Sequence, residues 1–125
     1  MEFKKNQAIY LQITDLISAN IITGKWPDGE RIISVRELAG QIEVNPNTVM
    51  RAYARLQEED ILYNKRGIGF FVSEGAADRI KVRKKKAFIK NELQALFEQM
   101  NLLDIDMDEL QQLFKNYKNK KQNHE

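Results

Sequence analysis

The 125-residue chain has no cysteine, two prolines, a single histidine (His124) and no long apolar run. Each shortage removes a class of protein. Without thiols there is no disulfide-stapled module and no Cys-ligated zinc site, and one histidine cannot assemble a histidine-based metal centre, so no metal and no cofactor are expected. No stretch approaches the roughly 18 apolar residues that a bilayer span needs, which excludes a membrane partner from the expectation. The opening MEFKKNQAIY holds two lysines and then polar residues, without the apolar core of a secretory signal, so the expected location is the cytoplasm. A strong charge of one sign is missing too, since 20 Lys/Arg stand against 18 Asp/Glu for a net of +2. What is present is 42% apolar and 9% aromatic residues, too many for a disordered chain. They suit one domain of ordinary size, or one small domain with an appendage.

Charge becomes informative by position. Residues 1–75 carry nine basic and ten acidic residues, a net of −1, whereas residues 76–125 carry eleven and eight, a net of +3. Arg79, Lys81, Arg83, Lys84, Lys85, Lys86 and Lys90 have no acid among them. Such a run is either a surface for a polyanion or a solvated helix face.

Periodicity and punctuation divide the first 75 residues into short elements. Ile9, Ile13, Leu16, Ile17 and Ile21 recur at steps of three and four, the spacing of one helix side, with Gly24 as a stop. Trp26-Pro27-Asp28-Gly29 reads as a tight turn, followed by a short strand at Arg31-Ile32-Ile33. Ser34-Val35-Arg36-Glu37 has the S-x-x-E pattern of a capping box and starts a second helix. That helix ends near Ile42, because Asn45-Pro46 is itself a helix start, with Asn as cap and Pro in the first turn. The third helix turns Val49, Ala52, Tyr53 and Leu56 inward and leaves Asn47, Thr48, Met50, Arg51 and Arg55 elsewhere on its surface. Ile61-Leu62-Tyr63 and Phe70-Phe71-Val72 flank Asn64-Lys65-Arg66-Gly67-Ile68-Gly69, the pattern of a β-hairpin with a basic tip. Glu74-Gly75-Ala76-Ala77 breaks the pattern, which places a boundary between a domain at 1–75 and a region at 76–125.

The second region is helical in period. Val82, Ile89, Leu93, Leu96, Met100 and Leu103 form a heptad-like stripe, with Lys86 at one inner position, and a last helix capped near Asp106 carries Met107, Leu110, Leu113, Phe114 and Tyr117 before a polar tail that frays from Lys118. Two helices in fifty residues cannot bury both stripes alone, so Ile89, Leu93, Leu96, Phe97, Met100, Leu103, Leu110 and Phe114 are the expected dimer interface. Asp104, Asp106 and Asp108 start like a calcium loop, but Glu109 stands where glycine is required and Lys115 where the closing Glu belongs, so helix capping is their role. No grouping of nucleophile, base and orienting residue is legible, which argues against an enzyme.

The expected fold class is therefore mainly α with a small β-hairpin wing: an N-terminal winged helix-turn-helix and a short two-helix dimerisation region. A third helix in this layout can lay its first turn in the major groove of double-stranded DNA, about 12 Å wide, and present Asn47 and Thr48 to base edges. Arg36 is placed to reach backbone or guanine, and Lys65 and Arg66 to reach phosphate or the minor groove, with Gly67 allowing close approach. The competing reading is a protein-interaction module, in which the winged scaffold and the C-terminal helices hold a partner helix.

The motifs IYLQI, GKWPDGERI, SVRELA, VNPNTVMRAYARLQEEDIL and RGIGFFV, in that order between Ile9 and Val72, resemble the N-terminal domain of GntR-family bacterial transcription regulators. VNPNTV with the following AY, and the short helical remainder, resemble the YtrA subfamily in particular. That resemblance implies a homodimeric repressor on a palindromic operator, often in or near an operon for an ABC-type transporter. It implies DNA contacts at Arg36, at Asn45, Pro46, Asn47, Thr48 and Met50, and at Lys65, Arg66 and Gly67. Three positions depart from the family pattern. Glu43 and Asp60 stand where glycine is common, so the chain there must avoid a positive φ or accept strain. Met50 replaces a basic or polar residue, leaving an apolar contact such as a thymine methyl, with Arg51 as the neighbouring cation that compensates. About fifty helical residues leave little room for an effector pocket within one subunit, so any small-molecule effector would have its site between subunits.

Overall fold

The computed structural model describes Phe3 and residues 6–123, and His124 lies outside them. The chain forms two compact units, one reaching Lys84 and one beginning at Lys85.

In the first unit, α1 (Ile9–Ile22) buries Ile13, Ile17 and Ile21, four residues apart on one side. Ile9 and Leu16, expected on the same stripe, lie at its margin: Ile9 is exposed and Leu16 half-buried. The helix ends where Thr23 Oγ1 donates to the Ala19 carbonyl at 2.8 Å and Gly24 takes a φ of +80°. The turn at Pro27 is closed by a Glu30 N–H to Pro27 carbonyl bond of 3.2 Å.

The strand expected at residues 31–33 is a short pairing that stops at Ile32: Arg31 stands opposite Phe71, and the Ile32 N–H donates to the Phe70 carbonyl at 2.9 Å. Two neighbours explain the truncation. The Ile33 carbonyl is taken by the Tyr53 hydroxyl at 2.8 Å, and Ser34 Oγ accepts from the Glu37 N–H at 3.1 Å to open α2 (Val35–Ile42). Glu43 then adopts φ 56° and ψ 49°, and the Val44 N–H folds back onto the Ala39 carbonyl at 3.0 Å. The turn accepts the left-handed conformation without glycine. Asn45 Oδ1 accepts from the Asn47 N–H at 2.8 Å, and with Pro46 in the first turn α3 (Pro46–Glu58) begins at once.

Asp60, with φ 60°, terminates α3 in the same left-handed way and turns the chain into the hairpin of β1 (Leu62–Lys65) and β2 (Gly69–Val72). The strands are antiparallel, with Tyr63 opposite Phe71 and Lys65 opposite Gly69. Val49, Ala52, Tyr53 and Leu56 of α3 meet Leu38 of α2, the α1 isoleucines, Ile61, Leu62 and Val72 in one core. Each fully buried large side chain there contributes about 1.5–3 kcal/mol. Ala76 and Ile80, in α4 (Ala76–Ala87), belong to the same core. Gly75 lies just before α4, and the first compact unit runs on to Lys84.

In the second unit the end of α4 leads into a π-helical turn, Phe88–Glu92, and then α5 (Leu93–Leu102). A heptad stripe needs uniform α geometry, which the wider turn at Phe88–Glu92 interrupts. Asp104 takes φ 57°, the Ile105 N–H bonds the Met100 carbonyl at 2.9 Å, and Asp106 Oδ1 caps α6 (Met107–Gln122) by accepting from the Glu109 N–H at 2.8 Å. The tail expected to fray from Lys118 is helical to Gln122, with Lys120 and Lys121 in the last turn, where positive charge suits the helix dipole. Of the apolar stripe only Met100 is buried, at 7% exposure, while Leu103 (62%) and Phe114 (55%) are among many left open to solvent.

Candidate nucleic-acid interface

The surface of α3 divides cleanly. With 3.6 residues per turn, the side opposite Val49, Ala52, Tyr53 and Leu56 presents Asn47 and, one turn on, Arg51, with Met50 beside them. Asn47 and Arg51 are exposed, Met50 is 41% exposed and Thr48 is half-buried at the edge of the face. Asn45 and Pro46 set the start of the helix: the Asn45 carbonyl oxygen is spent on the cap, leaving its amide N–H groups as donors.

The helix is held by its buried side. Tyr53 is fully buried, its ring edge-on to Phe70 at 5.1 Å between centroids, and its hydroxyl ties α3 to the segment that starts α2. Burial, and secondarily the negative charge of Glu37, pushes its phenol well above the ordinary tyrosine range, so it remains a donor at any physiological pH.

Arg36 lies exposed in the first turn of α2. Arg36 and Arg66 make no hydrogen bond or ion pair among the described residues. At the hairpin tip, Lys65 Nζ sits 4.7 Å from the centre of the Phe71 ring. Gly67 has φ +80° and open space where a Cβ would stand, so the backbone there can approach a partner closely. The described residues contain no group of three or more His, Cys, Asp or Glu able to hold a metal.

Two features escaped sequence reasoning. Tyr10, in the first turn of α1, lies under the Arg51 guanidinium at 3.8 Å from its ring centre. The basic run starting at Arg79 is partly structural: Arg79 donates to the Asp60 carbonyl at 2.8 and 3.1 Å and to the Glu74 carbonyl, and Arg83 pairs with the Glu59 carboxylate at 2.7 Å. Both arginines therefore sit at the C-terminal end of α3, about 20 Å along the axis from its first turn. They complement the dipole of α3 rather than extend its exposed face. Charge counting could not separate Arg79 and Arg83 from the lysines between and after them, which are exposed.

Three helices with a tight α2–α3 turn, an exposed polar first turn on α3 and a two-stranded hairpin with a cationic tip define a winged helix-turn-helix regulator. Residues 9–72 match the family of bacterial regulatory proteins called the gntR family. The chain is 33% identical over 112 residues to the transcriptional repressor YtrA of Bacillus subtilis, spanning 90% of this chain and 85% of that protein. The crystal structure of a GntR-family transcriptional regulator from Bacteroides thetaiotaomicron superposes with a TM-score of 0.80 at 42% identity, covering 91% of this chain and 99% of that one. The DNA-binding domain of AraR in complex with operator ORX1 matches with a TM-score of 0.53 at 28% identity, over 58% of this chain and 93% of that one. The chain belongs to the GntR family, in its YtrA subfamily. It is a DNA-binding transcriptional regulator and not an enzyme.

Proposed function

We propose that the protein is a homodimeric repressor that binds a palindromic operator through the first two turns of α3, with the hairpin as a wing. The observation that carries this reading is the exposure of Asn47 and Arg51 on the face of α3 turned away from the core, with Thr48 at its edge. Asn47 pairs with adenine in the major groove and Thr48 contacts an adjacent base or phosphate. Met50 meets a thymine methyl, and Arg36, with no hydrogen-bond or ion-pair partner among the described residues, reaches backbone or guanine. Lys65 and Arg66 take phosphates while Gly67 admits the tip to the minor groove. The operator complex of the AraR DNA-binding domain supports this placement by similarity.

The dimer forms through the C-terminal helices. Ile89, Leu93, Leu96, Phe97, Leu103, Leu110 and Phe114 are exposed or half-buried in a single chain, and a second copy is the occupant that a two-helix unit of this size needs. Its symmetry then matches a palindromic site. The protein acts in the cytoplasm, controls an operon for an ABC-type transporter, and any small-molecule effector binds between subunits.

The test is a mobility shift with labelled duplex from the region upstream of the chain's own gene. Wild type binds at nanomolar concentration, and Arg36→Ala and Thr48→Ala each weaken binding by about 1–3 kcal/mol. Variants that both bind as wild type does would remove the assignment. Lys65→Ala instead lowers the salt dependence by about one unit per subunit with little change in base preference.

A further inference from the structure

We infer that Tyr10 is a positioning residue for DNA binding: its ring holds the Arg51 guanidinium ready for a backbone phosphate beside the base contacts of α3. The inference rests on the DNA-binding reading above and deepens it. Arg51 occupies the middle of the exposed face of α3, one turn after Asn47. Its guanidinium carbon lies 3.8 Å from the centre of the Tyr10 ring. Contact through a ring face spends the cation's attraction without spending its donors, and Arg51 forms no hydrogen bond or ion pair among the described residues.

Its surroundings single it out. An open cleft of about 220 Å³ is lined by Tyr10, Arg51, Ala54, Arg55 and Glu58. Arg55 is already engaged, its Nε 3.4 Å from the Glu59 carboxylate. Glu58 stands two turns beyond Arg51, where its charge repels a phosphate from the far end of the cleft and leaves the Asn47 end favoured. Arg51 is thus the unspent cation of this cleft, and its forked donors suit a phosphate bidentately.

Tyr10 contributes because a free arginine side chain loses much rotamer entropy when it is fixed on a ligand. Tyr10 is itself anchored, being half-buried against the core through α1. A guanidinium already seated on that ring forfeits less freedom when a phosphate arrives.

Fluorescence anisotropy of the full chain on the upstream duplex, at a series of salt concentrations, tests this. Arg51→Ala is expected to weaken binding and to reduce the slope of log K against log salt by about 0.9 per subunit, one phosphate's worth. Tyr10→Leu is expected to weaken binding roughly two- to five-fold, the size of an exposed cation–π contact, and Tyr10→Phe to bind as wild type does. Adding Tyr10→Leu to Arg51→Ala should cost nothing more. An unchanged salt slope in Arg51→Ala, or a Tyr10→Leu effect equally large with and without Arg51, overturns the inference. Thermal melts check that Tyr10→Leu folds, and if it does not, the Arg51→Ala slope and the Tyr10→Phe affinity decide. If Arg36→Ala weakens binding while Tyr10→Leu and Arg51→Ala do not, this inference falls and the DNA-binding reading stands. A wild-type chain without salt-dependent DNA affinity removes both.

Discussion

Replacing Glu43 by glycine should stabilise the protein. Glu43 links α2 to α3 with φ 56° and ψ 49°, the left-handed region that places an L-residue's Cβ too near the following carbonyl. That conformation costs about 1–2 kcal/mol for an ordinary L-residue. Glycine removes the clash but surrenders about 0.5–1 kcal/mol through the greater freedom of its unfolded chain. The Glu43 side chain is exposed and makes no hydrogen bond or ion pair among the described residues, so its removal loses no contact of that kind. The net expectation is a gain of about 0.5–1 kcal/mol, or a rise in Tm of roughly 3–6 °C for a unit of this size. Far-UV circular dichroism melts at fixed protein concentration measure it, with Glu43→Ala as a control that keeps the strained φ and should not gain. Asp60→Gly should gain less, because Asp visits this region more readily than Glu. A Glu43→Gly protein that melts at or below the wild-type temperature would show that the left-handed turn at Glu43 carries no net strain.

Three further outcomes follow from other contacts. Tyr53→Phe strips the Ile33 carbonyl of its donor and should cost about 1 kcal/mol at neutral pH by urea denaturation. Because the folded-state phenol is held above its ordinary range, the Tyr53 contribution is complete below the usual tyrosine pKa and declines as pH rises past it, so Tyr53→Phe should lose less stability between pH 9 and 11 than wild type; equal losses would contradict this. Arg79→Ala removes charged donors from the Asp60 and Glu74 carbonyls and should destabilise by about 1–2 kcal/mol in the same assay, whereas the more exposed Arg83→Ala should cost about half that or less. Phe114→Glu places a charge on the exposed α6 surface and, with the proposed dimer, should shift sedimentation from dimer to monomer while leaving the circular dichroism spectrum helical; a dimer unchanged by it would contradict the proposed interface.

How much of this was legible in the sequence depended on the range of the interaction. Ser34, Asn45-Pro46 and Asp106 act on backbone groups two or three residues away, so their caps could be read from order alone. The hairpin and its basic tip were equally local. Glu43 posed a choice between two backbone conformations that sequence could frame but not decide, and the structure takes the strained one. Contacts between distant elements were out of reach. Nothing in IYLQI announces that Tyr10 lies under Arg51, and nothing in the basic run separates Arg79, bonded to Asp60, from Lys81, which is exposed. The short bridge at Arg31 was misjudged for the same reason, since the group that ends it is the Tyr53 hydroxyl, twenty residues on. Periodicity also overreached through Phe88–Glu92, where the π-helical turn breaks the uniform rotation on which any heptad stripe depends.

In the proposed complex the first two turns of α3 and the hairpin tip meet DNA together. Titrating the upstream duplex into isotope-labelled protein and following backbone amide shifts by NMR tests it most directly. The largest changes are expected at Arg36, at Asn47 to Arg51 and at Lys65 to Gly67, with little change in α6. Changes concentrated in α5 and α6, with α3 and the hairpin silent, would contradict it.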